Sequence, residues 1–382
     1  MKKKMLFMAI NMNLGGTEKS LLNLLHGLNK EEHDITLLLL EKSGLLLSEV
    51  PHHVKIESLE GYKTIKPYIQ QGIKSNVKVL IKSNKFKDLL HYTAASIATK
   101  ITGNDKFKMK FYAEQVSQCQ EVYDVAVAYA GPMDFISFYI AEKVDAKTKY
   151  QWIHFDVDKI GFSTSIVETI YPSFTKIYTV SKEGKAKMTS RFPFLEKKLD
   201  VSENRLSPEL IKHLGEETGF LTDFKGIRIL TVGRLSNEKG QDRAFPVLNR
   251  LVSRNIPVKW YFIGEGPERK TYEAQIKKYG LENQAILLGA KLNPYPFMRE
   301  CDLYVQPSKH EGFCITLSEA KVFNVPIIAT DFTGAKEQLN PYGQGQIVSN
   351  TDTEEFIDTV CERVEALWKE KNVTTELKQE AT

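Results

Sequence analysis

The chain has 382 residues, 42% hydrophobic and 26% charged, with a formal net charge of +4. That length is enough for two domains, and the composition is that of a soluble globular protein. The four cysteines, Cys119, Cys301, Cys314 and Cys361, are scattered, which excludes a metal-ligand spacing and suits a reducing cytoplasm; no apolar run reaches the roughly 18 residues of a transmembrane helix.

The chain opens with lysines and a short apolar run, in the manner of a secretory leader. Asn11 and Asn13 interrupt that run, and Gly15-Gly16-Thr17-Glu18 stands where a small-residue cleavage site would be. It is therefore read as a buried strand, Leu6 to Asn11. A helix follows from Thr17 to Leu28, with apolar spacing at Leu21, Leu24, Leu25 and Leu28. Strands are predicted at Asp34–Leu40, Val54–Ile56, Tyr123–Tyr129, Tyr150–Ile153 and Lys176–Val180, with helices between. This alternation implies a mainly parallel sheet with helices on both faces.

Between these strands, residues 63 to 110 hold eleven lysines (63, 66, 74, 78, 82, 85, 87, 100, 106, 108 and 110) against two acids, Asp88 and Asp105. Apolar residues such as Ile69, Ile73, Val77, Leu80, Ile81, Phe86, Leu89 and Leu90 are interleaved. A basic amphipathic helix of this kind suits contact with an anionic membrane. A core-packed helix pair with a solvated basic face is the alternative. No nucleic-acid-binding signature is present.

The rhythm breaks between about 195 and 225, where Leu199 to Phe224 is polar and includes Pro208, Gly215 and Gly219. Strands then follow at Ile227–Val232, Val258–Ile263, Ala285–Leu288, Leu303–Val305, Pro326–Ala329 and Gln346–Val348. Helices are predicted at Asp242–Ser253, Glu268–Tyr279 and near Thr353–Lys369. The division is an N-terminal domain over 1–205, a linker over 206–225 and a C-terminal domain over 226–382, whose last helix is free to cross back. Two doubly wound domains in tandem predict a cleft at the carboxyl ends of their strands, where ligands bind in such sheets.

Five segments point to that cleft. Glu311-Gly312-Phe313-Cys314-Ile315-Thr316-Leu317-Ser318-Glu319 reads as a loop and a helix start between two carboxylates. Unpaired amides there favour a phosphate, and Glu319 is better placed for sugar hydroxyls than for an anion. Arg234 and Lys239, in the loop Gly233-Arg234-Leu235-Ser236-Asn237-Glu238-Lys239-Gly240, are two cations able to converge on one diphosphate. Gly264-Glu265-Gly266-Pro267 ends a strand in a turn that leaves room for a nucleotide face. Gly15-Gly16 opens the first helix and lets backbone approach a ligand, without the spacing of a dinucleotide fingerprint. His154, in Trp152-Ile153-His154-Phe155-Asp156, stands at a strand's carboxyl end and could donate a hydrogen bond to a sugar. Each segment alone also reads as an ordinary surface or structural feature.

Together, Gly233-Arg234…Glu238-Lys239-Gly240, Gly264-Glu265-Gly266-Pro267 and Glu311…Glu319 resemble the family 4 retaining glycosyltransferases, of the Glu-x7-Glu type, over about 226 to 340. The resemblance implies the α/β GT-B fold, with two Rossmann-like doubly wound domains and an interdomain cleft. It implies a nucleotide sugar, read as a UDP-sugar, with its diphosphate on Arg234 and Lys239 and its ribose on Glu319. Glu311 and His154 would face the transferred sugar as the catalytic pair. Gly16, Gly264 and the segment Phe313, Cys314, Ile315 and Thr316 would complete the donor site. No cofactor and no metal are expected; Asp156-Val157-Asp158 is read as surface acids. The family commonly has glycine where Cys314 stands and proline near Thr316, and its linker asparagine is matched loosely by Asn204.

The expected activity is transfer of a hexose-type sugar, with retention, to a cell-surface glycan, polymer or lipid-linked acceptor. The expected place is the cytoplasm, at the inner face of the membrane. The alternatives are a non-catalytic GT-B subunit supporting a partner transferase and a GT-B sugar-nucleotide epimerase.

Overall fold

The structure is a computed structural model of the chain. It describes residues 2–380 apart from 71–75, 78, 79, 82–85, 132, 160–162, 205, 207, 221, 222, 340–342 and 344. Lys74, Lys78, Lys82, Lys85 and Ile73 of the basic segment thus lie outside the described residues. The chain divides into two compact units, Met1–Glu203 and Asn204–Thr382.

The first unit carries the strands β1 (Lys3–Ala9), β2 (His33–Leu39), β3 (Val54–Ser58), β4 (Val122–Gly131), β5 (Asp145–Ile153), β6 (Lys176–Thr179) and β7 (Leu199–Val201). They form one sheet in the order β3-β2-β1-β4-β5-β6-β7, with every pairing parallel. Its helices are α1 (Gly16–Gly27), α2 (Tyr62–Gln70), α3 (Phe86–Thr102), α4 (Lys106–Glu114), α5 (Asp134–Lys143), α6 (Thr164–Ile170) and α7 (Lys182–Arg191). Leu6, Phe7, Met8 and Ala9 are all buried, because a parallel strand covered on both faces needs apolar residues at successive positions rather than at alternate ones.

The second unit repeats the plan. Its strands are β8 (Ile227–Val232), β9 (Val258–Ile263), β10 (Ala285–Gly289), β11 (Leu303–Gln306), β12 (Ile327–Thr330) and β13 (Gly345–Val348), ordered β10-β9-β8-β11-β12-β13 and again parallel. Its helices are α8 (Pro208–Leu214), α9 (Ala244–Ser253), α10 (Arg269–Tyr279), α11 (Tyr295–Glu300), α12 (Ile315–Lys321), α13 (Ala335–Leu339) and α14 (Thr353–Glu380). In both sheets the connections run one way from the first strand and then reverse. The reversal falls between β1 and β4 in one sheet and between β8 and β11 in the other. The loops leaving those strands diverge, and a crevice opens at the carboxyl end of each such pair.

Three differences from the sequence reading have physical causes. The stretch from Leu199, read as polar passage, contains β7 and α8; β7 pairs with β6 over only three residues, too short for a period to show. β5 begins at Asp145 rather than Tyr150, because its polar half is carried by backbone pairing to β4 and is only partly buried. α14 runs eleven residues beyond Lys369. It packs on α9 with Phe356, Ile357, Val360 and Val364 in the core of its own unit. Lys371 on it reaches Asp302 at 3.0 Å and the Gly226 carbonyl at 3.1 Å. No helix among the described residues is long and apolar enough to cross a membrane.

Candidate active site

In the second unit, the predicted donor residues gather on the loops that leave β8 and β11. After β8 the chain runs through Gly233, Arg234, Leu235 and Ser236 into a 3-10 turn, Asn237–Lys239, which ends at Gly240 with φ +66°. A Cβ at Gly240 would sit 2.1 Å from the Pro307 carbonyl oxygen, so this glycine lets the two loops touch through their backbones. The Arg234 loop is held from beneath. Buried Gln241 donates to the Arg234 carbonyl at 2.8 Å, and the Tyr272 hydroxyl lies 3.1 Å from the Ser236 carbonyl. Arg234 itself is exposed.

Lys239 and Glu311 meet. Lys239 Nζ lies 2.6 and 2.7 Å from the two Glu311 oxygens, and only 8% of the Glu311 side chain is exposed. Burial lowers the Lys239 pKa, the nearby Glu311 carboxylate raises it, and the net effect is upward. The pair joins the loop after β8 to the loop after β11, across the point where strand order reverses.

Glu311 is positioned by a line of buried polar groups. Ser308 donates to it at 2.7 Å, Gln306 Nε2 donates to Ser308 at 2.8 Å, and the Tyr304 hydroxyl donates to Gln306 Oε1 at 2.8 Å. Tyr304, Gln306 and Ser308 are all buried. They alternate along β11 and its extension, so the twofold period of a strand puts them on one face. The second glutamate, Glu319, lies in α12 and is 1% exposed. It accepts a hydrogen bond from the Tyr295 hydroxyl at 2.9 Å. Burial, then the neighbouring carboxylate, push the Tyr295 pKa above its ordinary range, so the phenol stays protonated and donates.

Sequence reasoning missed Ser308, Gln306, Tyr304 and Tyr295. The first three are a polar alternation inside a buried strand. Tyr295 stands at the start of α11, where Pro296 falls in the first turn and Asn293 accepts from the Tyr295 amide at 3.2 Å. These are local signals of structure; what the four residues support shows only once the fold sets them beside the two glutamates.

Phe313, Cys314, Ile315 and Thr316 form the entry to α12. Cys314 adopts φ +66°, a left-handed conformation that a glycine takes without cost. It is buried, its Sγ lies 3.4 Å from Thr316 Oγ1, and burial, with Glu311 adding to it, pushes the thiol pKa well up. Gln338 of α13 donates to the Phe313 carbonyl. Gly264 is constrained differently from the reading of an open wall: its Cβ would fall 1.9 Å from the Gly233 carbonyl oxygen. The crowding comes from the protein's own β8 loop, which this glycine allows to pack against β9.

Gly16 and His154 belong to the first unit. Gly16 opens α1, and nothing lies within 4 Å of where its Cβ would be. His154 directly follows β5 and is 7% exposed, with its ring 4.6 Å from that of Tyr129. Burial lowers its pKa to about 3. The opposing effect is a hydrogen bond to the Tyr129 backbone that favours the charged ring, so the ring donates that bond to a carbonyl. Nε2 has no partner among the described residues. In a neutral ring whose other nitrogen carries the proton, Nε2 is an acceptor. Nε2 is thus the ring nitrogen left open to a further hydrogen bond.

Asp156, read as a surface acid, is instead buried and paired with Lys187 at 2.9 Å. Among the described residues no group of three or more His, Cys, Asp or Glu side chains converges as a metal centre needs. A recess of about 450 Å³ lined by Leu303, Asn324, Pro326, Ile327, Gly345 and Arg363 lies at the amino ends of β11, β12 and β13, opposite to the loops that carry the site.

Two parallel, doubly wound units with a charged pair across one switch point define a GT-B chain. Residues 218–380 match the family model described as glycosyl transferases group 1. An uncharacterized glycosyltransferase of Methanocaldococcus jannaschii is 27% identical over 240 residues, which is 56% of this chain and 59% of that one. The N-acetylgalactosamine-N,N'-diacetylbacillosaminyl-diphospho-undecaprenol 4-alpha-N-acetylgalactosaminyltransferase of Campylobacter jejuni is 29% identical over 174 residues, 45% of this chain and 46% of that one. The matches thus span less than two thirds of these relatives' lengths. Among solved structures, Anabaena HepE in complex with UDP and glucose matches with a TM-score of 0.65 at 18% identity, covering 95% of this chain and 89% of that one. A Staphylococcus aureus TarM variant in complex with UDP matches at 0.67 and 13%, covering 97% and 95%. At these identities the likeness is one of fold.

Proposed function

We propose that the chain is a retaining, metal-independent glycosyltransferase that moves a hexose-type sugar from a nucleotide-diphosphate sugar to a cell-surface glycan, polymer or lipid-linked acceptor. The observation that carries this reading is the meeting of Lys239 and Glu311 across the β8/β11 switch point, with Glu319 buried in the helix that follows. The donor class is supported by HepE, whose structure holds UDP and glucose. The acceptor class is supported by the Campylobacter relative, whose name specifies a diphospho-undecaprenol carrier.

In the proposed reaction the bond between the sugar's anomeric carbon and the phosphate oxygen breaks, and its electron pair leaves with the diphosphate. Arg234 and Lys239 neutralise that charge, and a carboxylate at Glu311 offsets the positive charge that grows on the ring. The acceptor hydroxyl attacks from the face the phosphate leaves, and its proton passes to the departing phosphate oxygen. Glu319 accepts from the ribose hydroxyls, and His154 Nε2 accepts from a sugar hydroxyl.

The test is thermal stabilisation by UDP-, GDP- and ADP-sugars in the presence of a chelator. A sugar nucleotide at about 100 times its dissociation constant adds roughly 2.7 kcal/mol. The expected result is stabilisation by one donor class, preferably UDP, abolished in the double variant Arg234→Ala with Lys239→Ala. Stabilisation by none of them, from a folded sample, would favour a non-catalytic subunit. An inverted anomeric configuration in the product, read by NMR, would remove the retaining mechanism.

A further inference from the structure

The outer face of α3 is apolar and uncovered. Phe86, Leu90, Ile97 and Ile101 are 62%, 72%, 58% and 78% exposed. At roughly 100° of rotation per residue these four positions fall within an arc of about 60°, so they form one continuous stripe along the helix. The opposite face carries Tyr92, Ala95 and Ser96, which are buried. The usual amphipathic rule is therefore satisfied on the inside, and the stripe is an additional apolar surface. Exposed Phe107 on the adjacent α4 adds to the apolar surface of this helix pair.

The surroundings are basic. Lys87 and Lys100 lie on either side of the stripe by the same rotation, and Lys110 is exposed on α4. None of the three has an ion pair among the described residues. The acids nearby are engaged: Asp105 with Lys108 at 2.8 Å, Glu142 with Lys106 at 3.0 Å, and Glu114 with His91 at 3.5 Å. Asp88, in the first turn of α3, also has a partner.

We infer that this face of α3 docks on an anionic lipid bilayer, with Phe86, Leu90, Ile97 and Ile101 in the acyl boundary and Lys87, Lys100 and Lys110 against the headgroups. Charge complementarity selects this occupant. A second copy of the chain would place unpaired lysines opposite unpaired lysines, and a nucleic acid offers phosphates but nothing for an aliphatic stripe. Helices with an apolar face rimmed by lysine lie in the membrane interface in this way. The inference deepens the proposed reading, since it names the surface that brings the enzyme to a membrane-borne acceptor; binding itself needs neither donor nor turnover.

The test is co-sedimentation of the full chain with vesicles of phosphatidylcholine alone or with one third phosphatidylglycerol, at low and high salt. The expected result is binding to the anionic vesicles only, weakened by salt. Each of Lys87→Ala and Lys100→Ala should lower the partition coefficient about fivefold. Leu90→Asp with Ile97→Asp should abolish it, while the stabilisation by sugar nucleotide stays as in the wild type, which shows that the variant is folded. Equal binding to both vesicle types, or none to either, overturns the inference. So does a wild-type dimer in sedimentation that Leu90→Asp with Ile97→Asp converts to a monomer, because the face would then belong to a second copy. A donor panel without effect beside intact vesicle binding would remove the transferase reading and leave the docking surface.

Discussion

Glu311 spends all of its charge inside the protein: both oxygens are on Lys239, and one is also on Ser308. Replacing it by glutamine leaves the lysine with half of its partner. Glu311→Gln should lower stability by about 1–3 kcal/mol, the usual consequence of a buried group left underpaired, measured by urea unfolding, and should reduce turnover by roughly a hundredfold. Tyr295→Phe removes a donor to buried Glu319, and its expected effect is a weaker affinity for the nucleotide by about tenfold, with little change in the rate at saturation. His154 gives a pH signature. Its folded pKa of about 3 lies below the ordinary value of 6.5. The unfolded chain therefore takes up a proton first as pH falls, and the stability contribution, complete above pH 6.5, declines towards pH 3. Between pH 6.5 and 5 this amounts to about 2 kcal/mol, a slope that His154→Asn should remove. The charged residues of the site were readable because chemistry restricts them to a few types in a fixed order. Their supports were not, since Tyr295, Ser308 and Gln306 make sense only once the fold brings α11 beside α12 and sets β11 in the sheet.

The entry to α12 shows what a side chain does where a glycine would be at ease. A left-handed conformation costs an ordinary residue roughly 1–2 kcal/mol, while glycine costs roughly 0.5–1 kcal/mol through the flexibility it gives the unfolded chain. Cys314→Gly should therefore raise the melting temperature by a few degrees or leave it unchanged, and Cys314→Val, whose branched side chain resists positive φ, should lower it. Gly312 stands two residues earlier in the loop, but the residue type at Cys314 itself does not mark the left-handed position. The long buried strands could be read from residue types. β1, β8 and β9 announce themselves as apolar runs, because both of their faces are covered. β7 and the first half of β5 did not, being held by backbone pairing at the edge of what the core covers.

Each unit has its own core: Leu6, Phe7 and Ile35 stand at the centre of one, Ile229, Trp260 and Phe262 in the other. Arg234, Lys239, Glu311 and Glu319 all fall in the second. Residues 204–382 produced alone should unfold in one cooperative transition and keep a measurable stabilisation by UDP, while losing transfer to any acceptor. Calorimetry of the piece with and without the nucleotide checks this. A piece that fails to fold would show that its core depends on the first unit.

The pairing of Lys239 with Glu311 also sets an order of events. In the proposed reaction the lysine would be the counter-ion of Glu311 before it is a ligand of the diphosphate. An incoming diphosphate would compete for that lysine and, by winning it, would free Glu311 as the sugar arrives beside it. A nucleoside without phosphates would leave the pair closed. The donor's charge would then serve as the signal that arms the carboxylate, and wasteful reaction with a partial ligand is discouraged by the same contact that holds the resting site together.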